Sequence, residues 1–470
     1  MESAPLPLEA APIVFGTDGW RGVIAEDFTF ENVRRVAQAA ADYWRNVPGQ
    51  GVIVGYDNRF FSEVYARLVC EVLAGNGIPA IYSTVAAPTP AVAFAVRDRQ
   101  LRGAVMITAS HNPPQFNGFK LKADYAGPAD PEICTAIEKL VDANPVRSVS
   151  FDGNVEVYDP RRAHIAAVKK IVDLKKIRAA KLRVVVDSLH GCGGHLLEEL
   201  LDGKTQTIRG DRNPLFGGVN PEPIGKNLGA LCVAVKKARA QIGIATDGDA
   251  DRMGIVDDTG RYVSIQLVFA LLLLHLLRNR GDRGAVVVRS TNCTTMIDRI
   301  CRAYKMEVVE VPVGFKYICQ QMRQKDVLIG GEESGGIGFR GHIPERDGVL
   351  ANLMLLELLA VTGKKLSRLL TELQAEFGKS VYDRIDMHYP LEKRDRFIES
   401  LRNDPPKDLL GSPLAEMKTF DGVKYLAEDG SWLMFRTSGT EPIIRIYSEA
   451  GSAPRVKKLL EYGRQRALAL

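Results

Sequence analysis

Three aspartates, Asp247, Asp249 and Asp251, stand at alternate positions in "TDGDADR", directly after the apolar run "IGIA". Carboxylates this close repel one another unless a cation offsets them, and an all-oxygen donor set suits Mg2+ or another hard divalent ion. An EF-hand also opens D-x-D-x-D, but it needs glycine at the sixth position and glutamate at the twelfth. Here those positions hold Arg252 and Asp258, so an EF-hand is rejected. The alternative is a solvated acidic turn that needs no metal. The strand-like run before it favours a metal, because open α/β sheets gather ligands at the carboxyl ends of their strands.

A second stretch, "GAVMITASHNPPQFNGFKLK" (103–122), carries an apolar run into Ser110 and His111, with Lys120 beyond. Adjacent side chains on an extended segment point to opposite faces, so His111 is not expected to reach the Ser110 hydroxyl as a hydrolase base would. Two prolines stiffen the turn. Beside Mg2+ and cationic side chains, such a serine could carry a phosphoryl group, since cations offset the charge developing on the transferred oxygens.

Three weaker groups accompany these. "RTSGTEP" (436–442) combines Arg436, Thr437, Ser438, Gly439 and Thr440, donors that can cradle a phosphate, or else a Ser/Thr-rich β-turn. It is no P-loop, since a strand follows and the lysine is missing. "GGEESGG" (330–336) sets Glu332, Glu333 and Ser334 among glycines, as a reader of sugar hydroxyls or as a flexible exposed turn. "FGTDGWRG" (15–22) offers Arg21, and a lone arginine is ordinarily a solvated charge. "GCGG" (191–194) reads as a tight strand–helix turn, and His164, His195, His275 and His388 as ordinary surface or core residues.

Stiff β-branched runs at 51–55, 103–108, 182–188, 242–246, 284–289, 306–311 and 327–331 alternate with helical patterns at 31–46, 62–75, 131–142, 227–240, 264–279 and 347–360. Apolar strands separated by helices imply α/β layers with largely parallel sheets. After about residue 375 the pattern changes to strand-like stretches and a last helix near 453–468, a smaller α+β domain. "TASHNPP", "TDGDADR" and "GEESGG" each follow a strand, which points to a site assembled in a cleft between domains.

At 470 residues the chain exceeds the size of a single core, and its 46% apolar and 25% charged residues are those of a soluble globular protein. A net charge of +5 over 62 basic and 57 acidic residues, without a basic run, permits an anionic small substrate and gives no case for nucleic acid. Seven scattered cysteines without a CxxC pair indicate neither a disulfide framework nor a zinc site, and suit a reducing cytoplasm. The opening "MESAPLPLEAAP" lacks signal-peptide patterning and reads as a short unstructured lead-in. "LVFALLLLHLL" (267–277) is too short to span a bilayer, so no membrane role is expected.

Taken in order, "TASHNPPQFNGFK", "DGDADR", "GEESGG" and "RTSGTEP", preceded by "FGTDGWRG", resemble the α-D-phosphohexomutase superfamily of phosphoglucomutases and phosphomannomutases over nearly the whole chain. The resemblance implies three related α/β domains with mixed, largely parallel sheets plus a C-terminal α+β domain around a central cleft. The expected divisions are 1–150 with the phosphoserine loop, 151–258 with the metal loop, 259–376 with the sugar loop and 377–470 with the phosphate loop. It implies a resting phosphoserine at Ser110 that gives its phosphoryl to a hexose monophosphate, forming a hexose 1,6-bisphosphate that turns around and returns the other phosphate.

By the same resemblance Asp247, Asp249, Asp251 and a phosphoserine oxygen at Ser110 bind Mg2+, and glucose 1,6-bisphosphate is the activator. Arg21, Arg252, His111 and Lys120 lie near the transferring group, with Lys120 a candidate proton carrier. Glu332 and Ser334 hold sugar hydroxyls, with Gly314 of "PVGFK" and Arg346 of "PERDG" as further contacts. Gly314 reads equally as a helix start and Arg346 as a surface charge. Arg436, Ser438, Gly439 and Thr440 clamp the non-reacting phosphate.

The sugar loop departs from the bifunctional and glucosamine enzymes, which often carry histidine where this chain has Gly336; the pair Glu332–Glu333 leans to glucose. Mannose or glucosamine specificity, a bisphosphate synthase, a metal-dependent phosphatase and a non-catalytic sugar-phosphate binder are the rival readings. A cytoplasmic monomer or homodimer is expected.

Overall fold

The computed structural model describes residues 13–16, 19–201, 205–437 and 442–469. Its strands fall into four sheets. The first holds β1 (Trp20–Val23), β2 (Val52–Tyr56), β3 (Ala80–Ser83), β4 (Gly103–Ile107), β5 (Phe116–Ala123) and β6 (Val155–Tyr158), in the order β1-β5-β4-β2-β3-β6. The second, ordered β11-β10-β9-β7-β8, holds β7 (Val184–Asp187), β8 (Thr205–Ile208), β9 (Ile242–Thr246), β10 (Met253–Val256) and β11 (Tyr262–Val263). The third, ordered β13-β12-β14-β15, holds β12 (Val286–Ser290), β13 (Val308–Val311), β14 (Val327–Gly331) and β15 (Ile337–Phe339).

These three sheets share one plan. Parallel strands form each centre, and the last of them turns back into an antiparallel neighbour: β4 into β5, β9 into β10, β14 into β15. The turns that make this reversal are the three loops singled out by their chemistry. The fourth sheet is antiparallel throughout, ordered β16-β20-β19-β18-β17, from β16 (Val381–His388), β17 (Leu414–Lys418), β18 (Val423–Ala427), β19 (Trp432–Thr437) and β20 (Ile443–Ala450).

The central strands are apolar without a break because both faces are covered. Along β2 and β4, Val52, Val54, Val105 and Ile107 join one core with the helices Phe30–Trp44 and Ser62–Gly75. Ile53, Ala104 and Met106 join another with the helix Thr89–Asp98. The same alternation divides Val184 and Val186 from Val185 in β7. In the fourth sheet Leu433, Phe435, Ile444 and Ile446 pack on Val456, Leu459 and Leu460 of the terminal helix Ala453–Leu468.

Two features cross the expected divisions. β6 lies beyond residue 150, yet it pairs in parallel with β3 and completes the first sheet. The largest core runs continuously from Val168 to Phe377, so the second and third sheets share one apolar interior around the helices Ile265–Arg278 and Gly348–Thr362. Among the described residues no helix is long and apolar enough to cross a membrane. The helix expected over 131–142 ends at Glu138, and Asp142 takes a left-handed φ of 63° before Pro145.

Candidate active site

The loop after β4 meets the loop after β9. Ser110, fully buried, donates its hydroxyl to Asp247 Oδ2 at 2.9 Å. Asp247, Asp249 and Asp251 are themselves fully buried, and each offers a carboxylate oxygen within 4.8 Å of the others. Such a concentration of negative charge away from water is costly unless cations and donors surround it. Lys120, on β5, donates to Asp249 Oδ2 at 2.8 Å and Asp251 Oδ2 at 3.4 Å. Arg346 Nε donates to Asp251 Oδ2 at 2.7 Å, and Thr89 Oγ1 to Asp249 Oδ2 at 2.7 Å. The backbone N–H groups of Asp251 and Arg252 both donate to Asp247 Oδ1 at 3.0 Å.

After these bonds, Asp249 Oδ1 and Asp251 Oδ1 are buried with no hydrogen-bond partner. Two orphaned carboxylate oxygens beside a third carboxylate, with the Ser110 hydroxyl alongside, are the donor set a hard divalent cation takes. The residues therefore fit Mg2+. Burial, Asp251 and Asp249 push Asp247 well above the ordinary carboxylate range. At Asp249 burial acts upward too, but Lys120 and Thr89 outweigh it and hold the group low. A cation at the orphaned oxygens would relieve the repulsion that raises Asp247.

Ser110 owes its position to a residue that the sequence did not single out. Arg59, fully buried after β2, donates to Ser110 O at 2.6 Å, Asn112 O at 2.7 Å, Pro113 O at 2.8 Å and Phe116 O at 3.0 Å. Asp57 anchors Arg59 at 3.1 Å and accepts from Ser62 and Thr108. The Thr108 hydroxyl in turn accepts the Ser110 N–H at 2.8 Å. A signal was present: "YDNRFFS" is another polar turn directly after an apolar strand.

This network bends the chain, and Ser110 has a left-handed φ of 52°. The expectation that an extended backbone would hold His111 away from the hydroxyl is corrected: Nδ1 lies 3.4 Å from Ser110 Oγ. Burial, together with Arg252, Arg21 and Lys120, holds the His111 ring well below its ordinary pKa, so it is neutral at physiological pH. Arg21, on β1, is no free surface charge and donates to Asn112 Oδ1 in the serine loop. Gly248 lets the two loops touch, since a Cβ there would lie 2.5 Å from Ser110 O. The "GCGG" turn packs on the same loop, with Cys192 N–H donating to Gly248 O at 3.0 Å.

The third loop enters through Glu332, whose Oε2 accepts from Arg346 Nη1 at 3.4 Å. Arg346, read as a possible surface charge, is buried and ties the aspartate loop to the glutamate loop. Gly336 makes room for it, as a Cβ there would sit 2.6 Å from Arg346 Cδ. Glu333 turns elsewhere: its carboxylate lies 3.4 and 3.5 Å from Arg384 Nη1 on β16, and Arg384 also lies 3.6 Å from Glu222. Ser334 lies partly buried in the same loop. Neither Arg384 nor Glu222 carried any motif.

A second group gathers at the C-terminal sheet. Gly314 has a φ of 133° and starts the helix Phe315–Gln324, as its alternative reading held. Asp421 accepts from Val313 N–H at 2.7 Å and from Arg436 Nε at 3.1 Å, bringing "PVGFK" and "RTSGTEP" together. Ser438, Gly439 and Thr440 lie outside the described residues.

Comparison with known proteins places this geometry. Residues 12–147, 162–260 and 266–377 match domains I, II and III of the phosphoglucomutase/phosphomannomutase family, and residues 398–463 match its C-terminal domain. A phosphoglucomutase/phosphomannomutase of Thermococcus kodakarensis is 32% identical, covering 96% of this chain and 97% of the relative. A protein of Thermococcus gammatolerans provisionally named phosphoglucosamine mutase is 31% identical, covering 95% and 96%. A crystal structure from Thermus thermophilus, provisionally named a phosphomannomutase, superposes with a TM-score of 0.86 at 38% identity, covering 97% of this chain and 99% of that one. With four family domains in order and full-length relatives that are phosphohexomutases, the chain belongs to the phosphoglucomutase/phosphomannomutase family of isomerase-type phosphotransferases.

Proposed function

We propose that this phosphohexomutase interconverts glucose 1-phosphate and glucose 6-phosphate through a phosphoserine at Ser110. The observation that carries the reading is the seat of the Ser110 hydroxyl, 2.9 Å from Asp247 inside a buried set of carboxylates with two oxygens that accept no hydrogen bond. Asp247, Asp249 and Asp251 would hold Mg2+, which when bound offsets the charge on the phosphoryl oxygens.

In the forward step the bond between Ser110 Oγ and phosphorus breaks while a bond from the sugar hydroxyl oxygen to phosphorus forms, giving glucose 1,6-bisphosphate. The hydroxyl proton leaves the sugar and a proton reaches Oγ. His111, neutral and 3.4 Å from Oγ, and Lys120, beside the aspartates, are the two carriers at hand. Arg21 and Arg252 supply further positive charge around His111. Return of the other phosphate to Ser110 completes the isomerisation. Glu332 and Ser334 would read sugar hydroxyls, and Arg436 with its loop would clamp the resting phosphate.

The glucose preference is supported by the pair Glu332–Glu333. The relatives named for glucosamine phosphate favour an amino sugar as a second substrate class. A coupled mutase assay with glucose, mannose and glucosamine 1-phosphates, with and without glucose 1,6-bisphosphate, tests both. Turnover stimulated by the bisphosphate without stoichiometric inorganic phosphate is expected; phosphate release matching substrate loss would point to a phosphatase and end the proposal. Ser110→Ala should abolish turnover while leaving sugar-phosphate binding, and unchanged activity in that variant would refute the phosphoserine.

A further inference from the structure

The segment "HIPERDG" (342–348) ties neighbouring residues to different parts of the molecule. Glu345 accepts from Lys122 of β5 at 2.6 Å, with both groups buried. Arg346 reaches Asp251 and Glu332. Asp347 caps the helix Gly348–Thr362, its Oδ1 accepting the N–H groups of Val349 and Leu350 at 2.9 Å each.

The other oxygen of Asp347 is used differently. Oδ2 lies 2.6 Å from His164 Nε2, on the helix Arg161–Ile171, and 3.0 Å from His342 Nε2. All three side chains are buried, and the His342 ring stacks on Phe94 at 5.9 Å. An N-cap carboxylate needs only the helix N–H groups to do its work. Two further donors, His164 from another helix and His342 from five residues earlier in the same segment, therefore fix Asp347 more tightly than helix capping requires. Burial lowers the His342 pKa, which suits a neutral ring donating through Nε2.

A metal held by this trio is the competing explanation, since the three donor atoms lie within 4.8 Å of one another. Metal-bound histidines almost always donate their other ring N–H to an acceptor. Here His164 Nδ1 and His342 Nδ1 are both buried without a partner, and both Asp347 oxygens already accept hydrogen bonds. Hydrogen bonding accounts for the trio and metal ligation does not.

We infer that His164 and His342 are positioning residues: by pinning Asp347 at the head of its helix, they hold the adjacent Arg346 against Asp251 and Glu332. The inference rests on the reading of Asp251 as a metal ligand and Glu332 as a hydroxyl reader. Arg346 is the shared outer partner of both, so its seat sets the spacing of the aspartate loop and the sugar loop. The histidines reach the cation site only by way of Asp347, Arg346 and Asp251, and so act only through that seat.

The test compares His164→Leu and His342→Leu with His164→Gln, whose amide can still donate to Asp347. Three quantities are read: Mn2+ affinity by calorimetry without substrate, kcat against KM, and Tm. The leucine variants should weaken Mn2+ binding and lower kcat by about tenfold, while the glutamine variant keeps both within about threefold of wild type. In an Arg346→Met background, His164→Leu should cause no further loss, because coupled residues do not add. Should the leucine variant fail to fold, His164→Asn, whose amide is too short to reach Asp347, is read against His164→Gln in its place. A lowered Tm with unchanged Mn2+ affinity and kcat would reduce the histidines to scaffolding and overturn the inference. Losses that multiply with Arg346→Met would overturn it as well. A wild-type protein that neither binds Mn2+ nor isomerises hexose phosphates would instead sink the functional reading beneath it.

Discussion

Gly248→Ala asks whether the contact between the serine and aspartate loops sets the reactive geometry. An ideal Cβ at 248 would lie 2.5 Å from Ser110 O and 3.3 Å from Pro221 Cγ. Side-chain carbons do not approach closer than 3.0 Å and ordinarily stay beyond 3.4 Å, so the loops must separate by about 0.5 to 0.9 Å. Ser110 O cannot yield easily, since Arg59 already holds it at 2.6 Å from a fully buried site. The aspartate loop must move, stretching the 2.9 Å contact between Ser110 Oγ and Asp247 Oδ2. Misplacing a reacting group by about 1 Å costs on the order of a hundredfold, so kcat/KM should fall by roughly 30- to 100-fold. The assay is coupled isomerisation of glucose 1-phosphate, alongside Mn2+ titration and a melting curve. Gly229→Ala serves as the control, because a Cβ there meets nothing within 4 Å. A Gly248→Ala enzyme within about threefold of wild type, with Mn2+ affinity intact, would refute the claim that loop contact fixes the chemistry.

Three further outcomes follow from the same geometry. Arg59→Met leaves the buried Asp57 without its counter-charge and four loop carbonyls without the guanidinium donor, so it should destabilise the protein by about 3–5 kcal/mol; adding Asp57→Asn should recover part of the lost Tm, and a fully additive double variant would contradict the pairing. Gly336→Ala presses on Arg346 Cδ at 2.6 Å and Glu332 Oε2 at 3.1 Å, so KM for the hexose phosphate should rise about tenfold, with little change in Tm. Burial alone would raise the pKa of Glu357, but His275, Arg280 and the Asp173 N–H outweigh it and lower it from 4.5 to about 2. A depressed folded pKa stabilises fully above about pH 4.5 and loses that contribution as pH falls toward 2. Glu357→Gln should therefore cost about 3 kcal/mol at pH 7, with a difference in Tm that shrinks below pH 4.5; a constant difference from pH 7 to pH 2 would refute the shift.

The sequence was most legible where one physical demand left one solution. "IGIAT" and "VLIGG" become β9 and β14 with the expected bounds, because a short continuous apolar run between polar loops can satisfy its backbone only as a buried strand. The Asp247–Asp249–Asp251 spacing was legible for a similar reason: charge repulsion is a local property of the chain. What stayed hidden is long-range. The left-handed turn at Ser110 is enforced by Arg59, 51 residues earlier, and no local propensity at a serine announces it. Glu332 and Glu333 are identical neighbours in sequence, yet one meets Arg346 and the other Arg384 from the last sheet.

That divergence bears on specificity more than residue identity does. The lean toward glucose rests on a pair of glutamates in one loop, and of these Glu333 lies against Arg384 and, through it, near Glu222. Arg384 lies 3.4 Å from Glu333, 3.6 Å from Glu222 and 3.4 Å from Asp386 on its own strand, and so joins segments of the second, third and fourth sheets at one point. On the proposed reading, a hexose that draws Glu333 away must break this contact, and one that leaves it in place would be read by Glu332 and Ser334. The choice among hexose phosphates then depends on the free-energy difference between these two arrangements, a property of contacts made across the fold and not of the loop sequence.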